Sequence, residues 1–167
     1  DLILKFFPDL AASRPKIADI GAGAGFPSVV LACALPEARI TPVESSHKKT
    51  DFMRRTADMP GLKNMSVRTD RAREMAARKE WRGAFDVITG RAVSSTTYIF
   101  SETRDMLAKD GRYILYKTPR QSETELCEIR KLTLTQGFTW DSTPDFSLPM
   151  NMGERNFIFS RRQGKPA

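Results

Sequence analysis

Short apolar runs rich in β-branched and aromatic residues alternate along this chain with longer segments whose apolar positions recur every three or four residues. The first pattern predicts strands at Ile17–Ile20, Arg39–Val43, Met65–Arg68, Phe85–Thr89, Tyr113–Tyr116 and Asn156–Ser160, with a weaker one at Phe138–Asp141. The second predicts helices at Pro27–Leu35, Ser46–Ala57, Arg71–Lys79, Ser94–Ala108 and Arg120–Gln136. The punctuation agrees. Pro27 suits the first turn of a helix, Pro60-Gly61 breaks one, and Asp110-Gly111 and Gln136-Gly137 turn the chain into strands. Pro42 sits awkwardly within Arg39–Val43, because it removes a ladder donor.

Strand alternating with helix predicts a doubly wound α/β fold, a mostly parallel sheet with helices on both faces. The alternation stops near the end, where two strands follow each other across Thr143–Arg155 with no helix between them. Strands joined in this way are normally antiparallel neighbours. The expectation is a mostly parallel seven-stranded sheet with a C-terminal antiparallel hairpin, in a single domain over residues 1–167.

Composition narrows the surroundings. Twenty-seven Lys+Arg against twenty Asp+Glu give a net charge of +7, which favours a polyanionic partner. Cys33 and Cys127 lie far apart with no CxxC or Cys/His cluster, so no zinc site or disulfide framework is signalled and no metal is expected. That usage suits a reducing cytoplasm. No apolar run approaches the ~18 residues of a membrane span, and no signal peptide opens the chain. Asp1 falls inside what reads as a helix, so residues upstream of it are expected to be missing.

The chemistry concentrates in "DIGAGAGFP", Asp19 to Pro27, at the end of the first predicted strand. Glycine costs ~0.5–1 kcal/mol relative to alanine in regular structure, and three within five residues imply a turn that something approaches closely. In an open parallel sheet, ligands bind beyond the carboxyl ends of the strands where the winding reverses, and a helix beginning at Pro27 would aim its free N–H groups there. The spacing is G-x-G-x-G followed by Phe26 and Pro27, not the dinucleotide G-x-G-x-x-G, which disfavours NAD and FAD. The phosphate-cradling G-x-x-x-x-G-K-[ST] is absent as well. Glu44, at the end of the second strand, follows Gly25 at close to the ~20-residue distance of a ribose-binding carboxylate. Together these residues describe a pocket for a nucleoside with little or no phosphate, and S-adenosylmethionine fits.

Taken with "LPEARITPVESSHKKTDFMRR", "GLKNMSVRTDRARE", "FDVITGRAVSS", "LYKTP" and "GERNFIF", the glycine motif resembles, in order and spacing, the bacterial guanine-N7 methyltransferases of 16S ribosomal RNA. That family is also called glucose-inhibited division protein B. The resemblance covers nearly the whole chain and implies a class I S-adenosylmethionine-dependent methyltransferase fold, with a further helical segment before Asp1. It implies that Asp19, Gly21, Gly23, Gly25, Phe26, Glu44, Arg71, Ala72 and Arg91 bind the cofactor, with Glu44 on its ribose. It also implies that Lys48, Arg71, Lys117 and Arg155 face RNA, and that Arg91 and Lys117 serve the reaction itself. The chain departs from the family at Glu44 where Asp is common, at Arg73 where Glu is often found, and at Thr118 where Gly is usual.

Guanine N7 carries an unshared pair and needs no deprotonation before attack, so a general base is unnecessary. The single histidine, His47, and the lack of an acid–base dyad agree with this. Cys33 lies in an apolar helix and Cys127 in a polar one, so neither is placed as the thiolate that cytosine-C5 methylation needs. The expected partner is small-subunit ribosomal RNA or the assembling subunit. Another acceptor for the methyl group, or an RNA-binding module with a vestigial donor site, stays open.

Overall fold

The computed structural model describes residues 2–58, 62–133 and 137–162. The predicted breaker Pro60-Gly61, positions 134–136 of the last predicted helix and the tail beyond Arg162 lie outside the described residues. Two short helices, α1 (Leu2–Phe6) and α2 (Asp9–Ser13), precede β1 (Lys16–Ile20), α3 (Ser28–Ala34), β2 (Arg39–Glu44), α4 (His47–Ala57), β3 (Arg68–Thr69) and α5 (Ala72–Ala76). They are followed by β4 (Phe85–Arg91), α6 (Thr96–Thr103), β5 (Leu107–Lys117), α7 (Pro119–Thr133), β6 (Phe138–Ser142), β7 (Phe146–Ser147) and β8 (Glu154–Arg162).

The sheet runs β3-β2-β1-β4-β5-β8-β6, with the short β7 paired to β8. Strands β1 to β5 are parallel. β8 enters between β5 and β6 and is antiparallel to both, which is the expected C-terminal pair plus one insertion. Alternation along the strands sorts the core. Ala18, Ile20, Ile88, Tyr113 and Leu115 meet Met75, Phe100 and Ile129 of α5, α6 and α7 on one face. Ile17, Val87, Ile114 and Phe157 meet Ile3, Leu10 and Leu31 of α1, α2 and α3 on the other.

Local chemistry accounts for the differences from expectation. Ile40 of β2 donates to Asn64 O and accepts from Ser66 N, so the even-numbered residues of β2 turn their backbone groups toward β3. Pro42 shares that orientation and has no N–H. The β2–β3 contact accordingly divides into an isolated Ile40–Met65 bridge and a two-residue ladder, Val43–Arg68 and Glu44–Thr69, which moves the strand expected at Met65–Arg68. Asp110-Gly111, read as a turn, lies inside β5. The β4–β5 register steps from Phe85–Leu107 to Val87–Arg112, leaving that dipeptide in an irregularity of the strand, and the helix expected to reach Ala108 ends at Thr103.

β2 and β3 extend from β1 in one direction and β4 and β5 in the other, so the winding reverses between β1 and β4. The segments leaving those two strands, 21–27 and 92–95, share the carboxyl edge at that point. Their spacing is tight. A Cβ added to Gly90 of β4 would stand 3.1 Å from Ile20 O of β1. Gly90→Ala is therefore expected to destabilise the fold by ~1–3 kcal/mol, seen as a lower urea midpoint at unchanged slope. An unchanged midpoint would mean that β1 and β4 have slack beside the switch point.

Candidate active site

The bend after β1 is built by backbone bonds. Gly21 N and Ala22 N donate to Val43 O at 2.8 and 3.2 Å, and Gly25 N donates to Ala22 O at 2.8 Å. Gly21 and Gly23 take φ of +64° and +59°, a region that side-chain-bearing residues adopt at a cost. The space above the three glycines is not shared equally. A Cβ on Gly21 would fall 2.1 Å from Val93 Cγ2, and one on Gly25 would fall 2.9 Å from Val29 Cγ2, whereas Gly23 would meet only Gly21 O at 3.9 Å. The three glycines thus differ: where a Cβ would stand, Gly21 and Gly25 admit the protein's own side chains and Gly23 is open, while Gly21 still lines the cleft beside the bend.

Glu44 faces this bend. Its carboxylate accepts Gly23 N at 3.1 Å through Oε2 and Ser46 N at 3.0 Å through Oε1, with Lys49 Nζ 3.9 Å from Oε2. Beside it opens a cleft of about 470 Å³ whose walls include Gly21, Glu44, Asp70, Arg71, Ala72 and Val93. This volume lies in the range of small-molecule sites. Asp70 is not singled out by the sequence pattern. It stands directly after β3, where its N–H donates to Glu44 O at 3.1 Å, and its carboxylate pairs with Arg78. Its signal was an acid at a strand's carboxyl end, obscured by the arginines around it.

Asp19 is not among the residues lining the cleft. Fully buried, it accepts Ser28 N at 3.2 Å and Ser28 Oγ at 2.5 Å through Oδ2, while Oδ1 has no partner among the described residues. The first donor of α3, expected to point at a ligand, is thus held by Asp19. Burial raises the Asp19 carboxyl from 3.8 to about 7, against the lowering effect of the Ser28 bonds and the Arg91 charge.

The remaining candidates are dispersed around the carboxyl edge. Arg91 is exposed at the end of β4 with its guanidinium 5.9 Å from the ring centroid of Phe26, which is itself 51% exposed. Lys48 is exposed on α4, and Arg155 is half-buried at the start of β8, donating to Glu154 O at 2.7 Å. Lys117 is the exception. It is 5% exposed, 2.9 Å from Glu125 Oε2, and donates to Ser94 O at 2.8 Å. The expectation that it faces RNA or the cofactor is not met in this structure, where the ammonium is enclosed and turns two of its three donors to a carboxylate and a carbonyl. Several other basic residues are also engaged, Arg54 with Asp51 and Arg71 with Glu74 among them. Among the described residues no group of three or more His, Cys, Asp or Glu could hold a metal ion, and no helix is long and apolar enough to cross a membrane.

A doubly wound sheet of this order, with a glycine bend after its first strand and an acid closing its second, is the class I S-adenosylmethionine-dependent methyltransferase fold. Solved structures agree at the level of fold. The YcgJ protein of Bacillus subtilis superposes with TM-score 0.70 at 15% identity, over 96% of this chain and 98% of that one. A Thermotoga maritima SAM-dependent O-methyltransferase superposes with TM-score 0.69 at 14% identity, over 99% and 66%. The family is closer. Residues 3–157 match the model of GidB, rRNA small subunit methyltransferase G. Curated relatives named ribosomal RNA small subunit methyltransferase G include one from Deinococcus radiodurans, 34% identical over 98% of this chain and 67% of its own length. Another, from Staphylococcus epidermidis, is 34% identical over 98% and 72%. The chain belongs to the rRNA small subunit methyltransferase G family.

The buried Asp19 gives the site a pH signature. A carboxyl raised on folding binds more protons in the native state, so stability is full near pH 4 and declines as pH rises toward 7. Asp19→Asn, whose amide oxygen still accepts from Ser28, is expected to remove a decline on the order of 4 kcal/mol. Urea unfolding of both proteins at several pH values checks this; parallel stability curves would contradict it.

Proposed function

We propose that this chain transfers the methyl group of S-adenosylmethionine to N7 of a guanine in small-subunit ribosomal RNA. The observation that carries the reading is the open cleft at the switch point, lined by Gly21 of the glycine bend and by Glu44, whose carboxylate also holds Gly23 N. Family membership supports the RNA as acceptor.

The residues present fit the cofactor. Each oxygen of an ionised carboxylate has about two acceptor directions, and Glu44 spends one per oxygen on Gly23 and Ser46. Oε1 keeps a direction for a ribose hydroxyl, and Oε2 one that it shares with the Lys49 ammonium 3.9 Å away. Asp70 supplies an acceptor for an exocyclic amine, and Arg71 and Ala72 complete that end of the cleft. When bound, the cofactor supplies an electrophilic methyl carbon on a sulfonium.

The chain's own contribution is alignment. N7 attacks without losing a proton, so no residue has to act as general base, and holding two reactants in line contributes on the order of 7–11 kcal/mol. The base gains positive charge as the sulfonium loses it, which leaves little use for a further cation at the reacting atoms. Arg91, exposed at the end of β4, is suited to guanine O6 or a neighbouring phosphate. Lys48, Arg71 and Arg155 add positive charge on the same edge, and a net charge of +7 favours an assembling ribosomal subunit in the cytoplasm as the setting.

Two measurements test this. Glu44→Gln retains the acceptor for one backbone donor and is expected to raise the S-adenosylmethionine Kd roughly 10-fold or more, the loss of a charge-assisted hydrogen bond. An unchanged Kd would remove Glu44 from the site. Incubation with labelled cofactor and unmethylated small subunits, followed by mass mapping of RNA fragments, is expected to place the label on a guanine N7. Label on another atom or molecule would move the proposal to a different acceptor, and binding without transfer would favour an RNA-binding module.

A further inference from the structure

Lys117 lies at the end of β5 and Glu125 on α7, and both hold the segment that leaves β4. Glu125 Oε2 accepts from Thr96 N at 2.6 Å, from Thr96 Oγ1 at 2.7 Å and from Lys117 Nζ, while Lys117 Nζ also donates to Ser94 O. One carboxylate thus grips the first turn of α6, and the ammonium beside it grips the residue two positions earlier. Both side chains are shielded, at 5% and 12% exposure.

From this clamp the chain runs back through Val93, which covers Gly21, to Arg91 over Phe26. The intervening Ala92 takes φ +55°, a conformation that an alanine keeps only where its surroundings hold it. A buried ion pair adds little net stability over a well-packed apolar replacement, so energy of folding is a weak reason for this one. Its geometric effect is specific: it fixes one arrangement of 92–95 against the bend. Ser122, three residues before Glu125 on α7, makes a similar attachment on the other side, donating to Asn156 Oδ1 at 2.5 Å at the start of β8.

We propose that the Lys117–Glu125 pair is a positioning device, which sets Val93 in the wall of the cleft and Arg91 over Phe26 at the neighbouring end of β4, and so fixes where the acceptor base meets the methyl donor. Neither residue touches RNA. The inference rests on the methyl-transfer reading and assigns Lys117 a role different from the RNA contact that sequence resemblance implied.

The double variant Lys117→Met/Glu125→Leu removes both charges together and so leaves no unpaired ion in the interior. Three quantities are measured in it: amide exchange at Thr96, the single-turnover rate with saturating S-adenosylmethionine and small-subunit RNA, and the salt dependence of RNA binding. Exchange at Thr96 is expected to quicken about 10-fold or more, and transfer to slow about 10- to 100-fold as the loop leaves its place. The slope of log Kd for RNA against log salt is expected to stay as in the unsubstituted chain. A slope shallower by about 0.7 would instead mark a lost phosphate contact and overturn the proposal. A normal rate despite rapid exchange would overturn it too, as would unchanged exchange. If the double variant does not fold, Thr96→Val deletes a single donor at nearly constant shape, and exchange and rate are then expected to shift together by about 3-fold; a shift in one alone contradicts the proposal. Should the unsubstituted chain transfer no methyl group at all, the methyl-transfer reading fails by itself, while exchange still reports whether the clamp holds the loop.

Discussion

The Glu44 carboxylate holds two backbone donors at once, Gly23 N–H and Ser46 N–H, and so joins the end of β2 to the bend that follows β1. The bend has few other attachments. Gly21 and Ala22 share the single carbonyl of Val43, one residue before Glu44, so the whole turn is anchored to the end of one neighbouring strand. That anchoring lets a bend with an uncovered backbone face stay in place beside an open cleft. In the proposed reading, the oxygens that hold the bend are also those that a sugar hydroxyl would meet.

A second side of the cleft is held by different means. The segment 92–95 has no strand beside it and depends on the buried pair Lys117–Glu125, on Thr96, and on contact between Val93 and Gly21. One wall is therefore set by the Glu44 carboxylate together with backbone bonds to the end of β2, and the other by charged side chains from β5 and α7. The sheet order brings them together. Because the winding reverses between β1 and β4, the segments after those strands have nothing between them but each other and whatever enters the cleft.

Much of this was legible in the sequence where the cause is local. Period-two and period-3.6 patterns located the strands and most helices, and the absence of a helix across Thr143–Arg155 foretold the antiparallel strand. Glu44 was found by its spacing from the glycines, because a βαβ unit fixes that distance. What escaped depended on the third dimension. Gly21 and Gly25 looked the same as Gly23, yet the atoms that fill their space, from Val93 and Val29, are known only once the chain is folded. Asp19 read as a cleft residue although its partner, Ser28, is nine positions away in a helix whose packing decides where the carboxylate turns. Lys117 has the sequence context of an exposed cation at a strand end. Its burial follows from Glu125, one acid within a polar helix, and nothing in a helical pattern distinguishes an acid facing water from one facing an ammonium.

The central claim is that the bend and Glu44 form a binding site for a sulfonium nucleoside. Calorimetric titration of the chain with S-adenosylmethionine, and separately with NAD, tests it most directly. One saturable site for S-adenosylmethionine and no heat from NAD is the predicted result; binding of NAD with none of S-adenosylmethionine would contradict it.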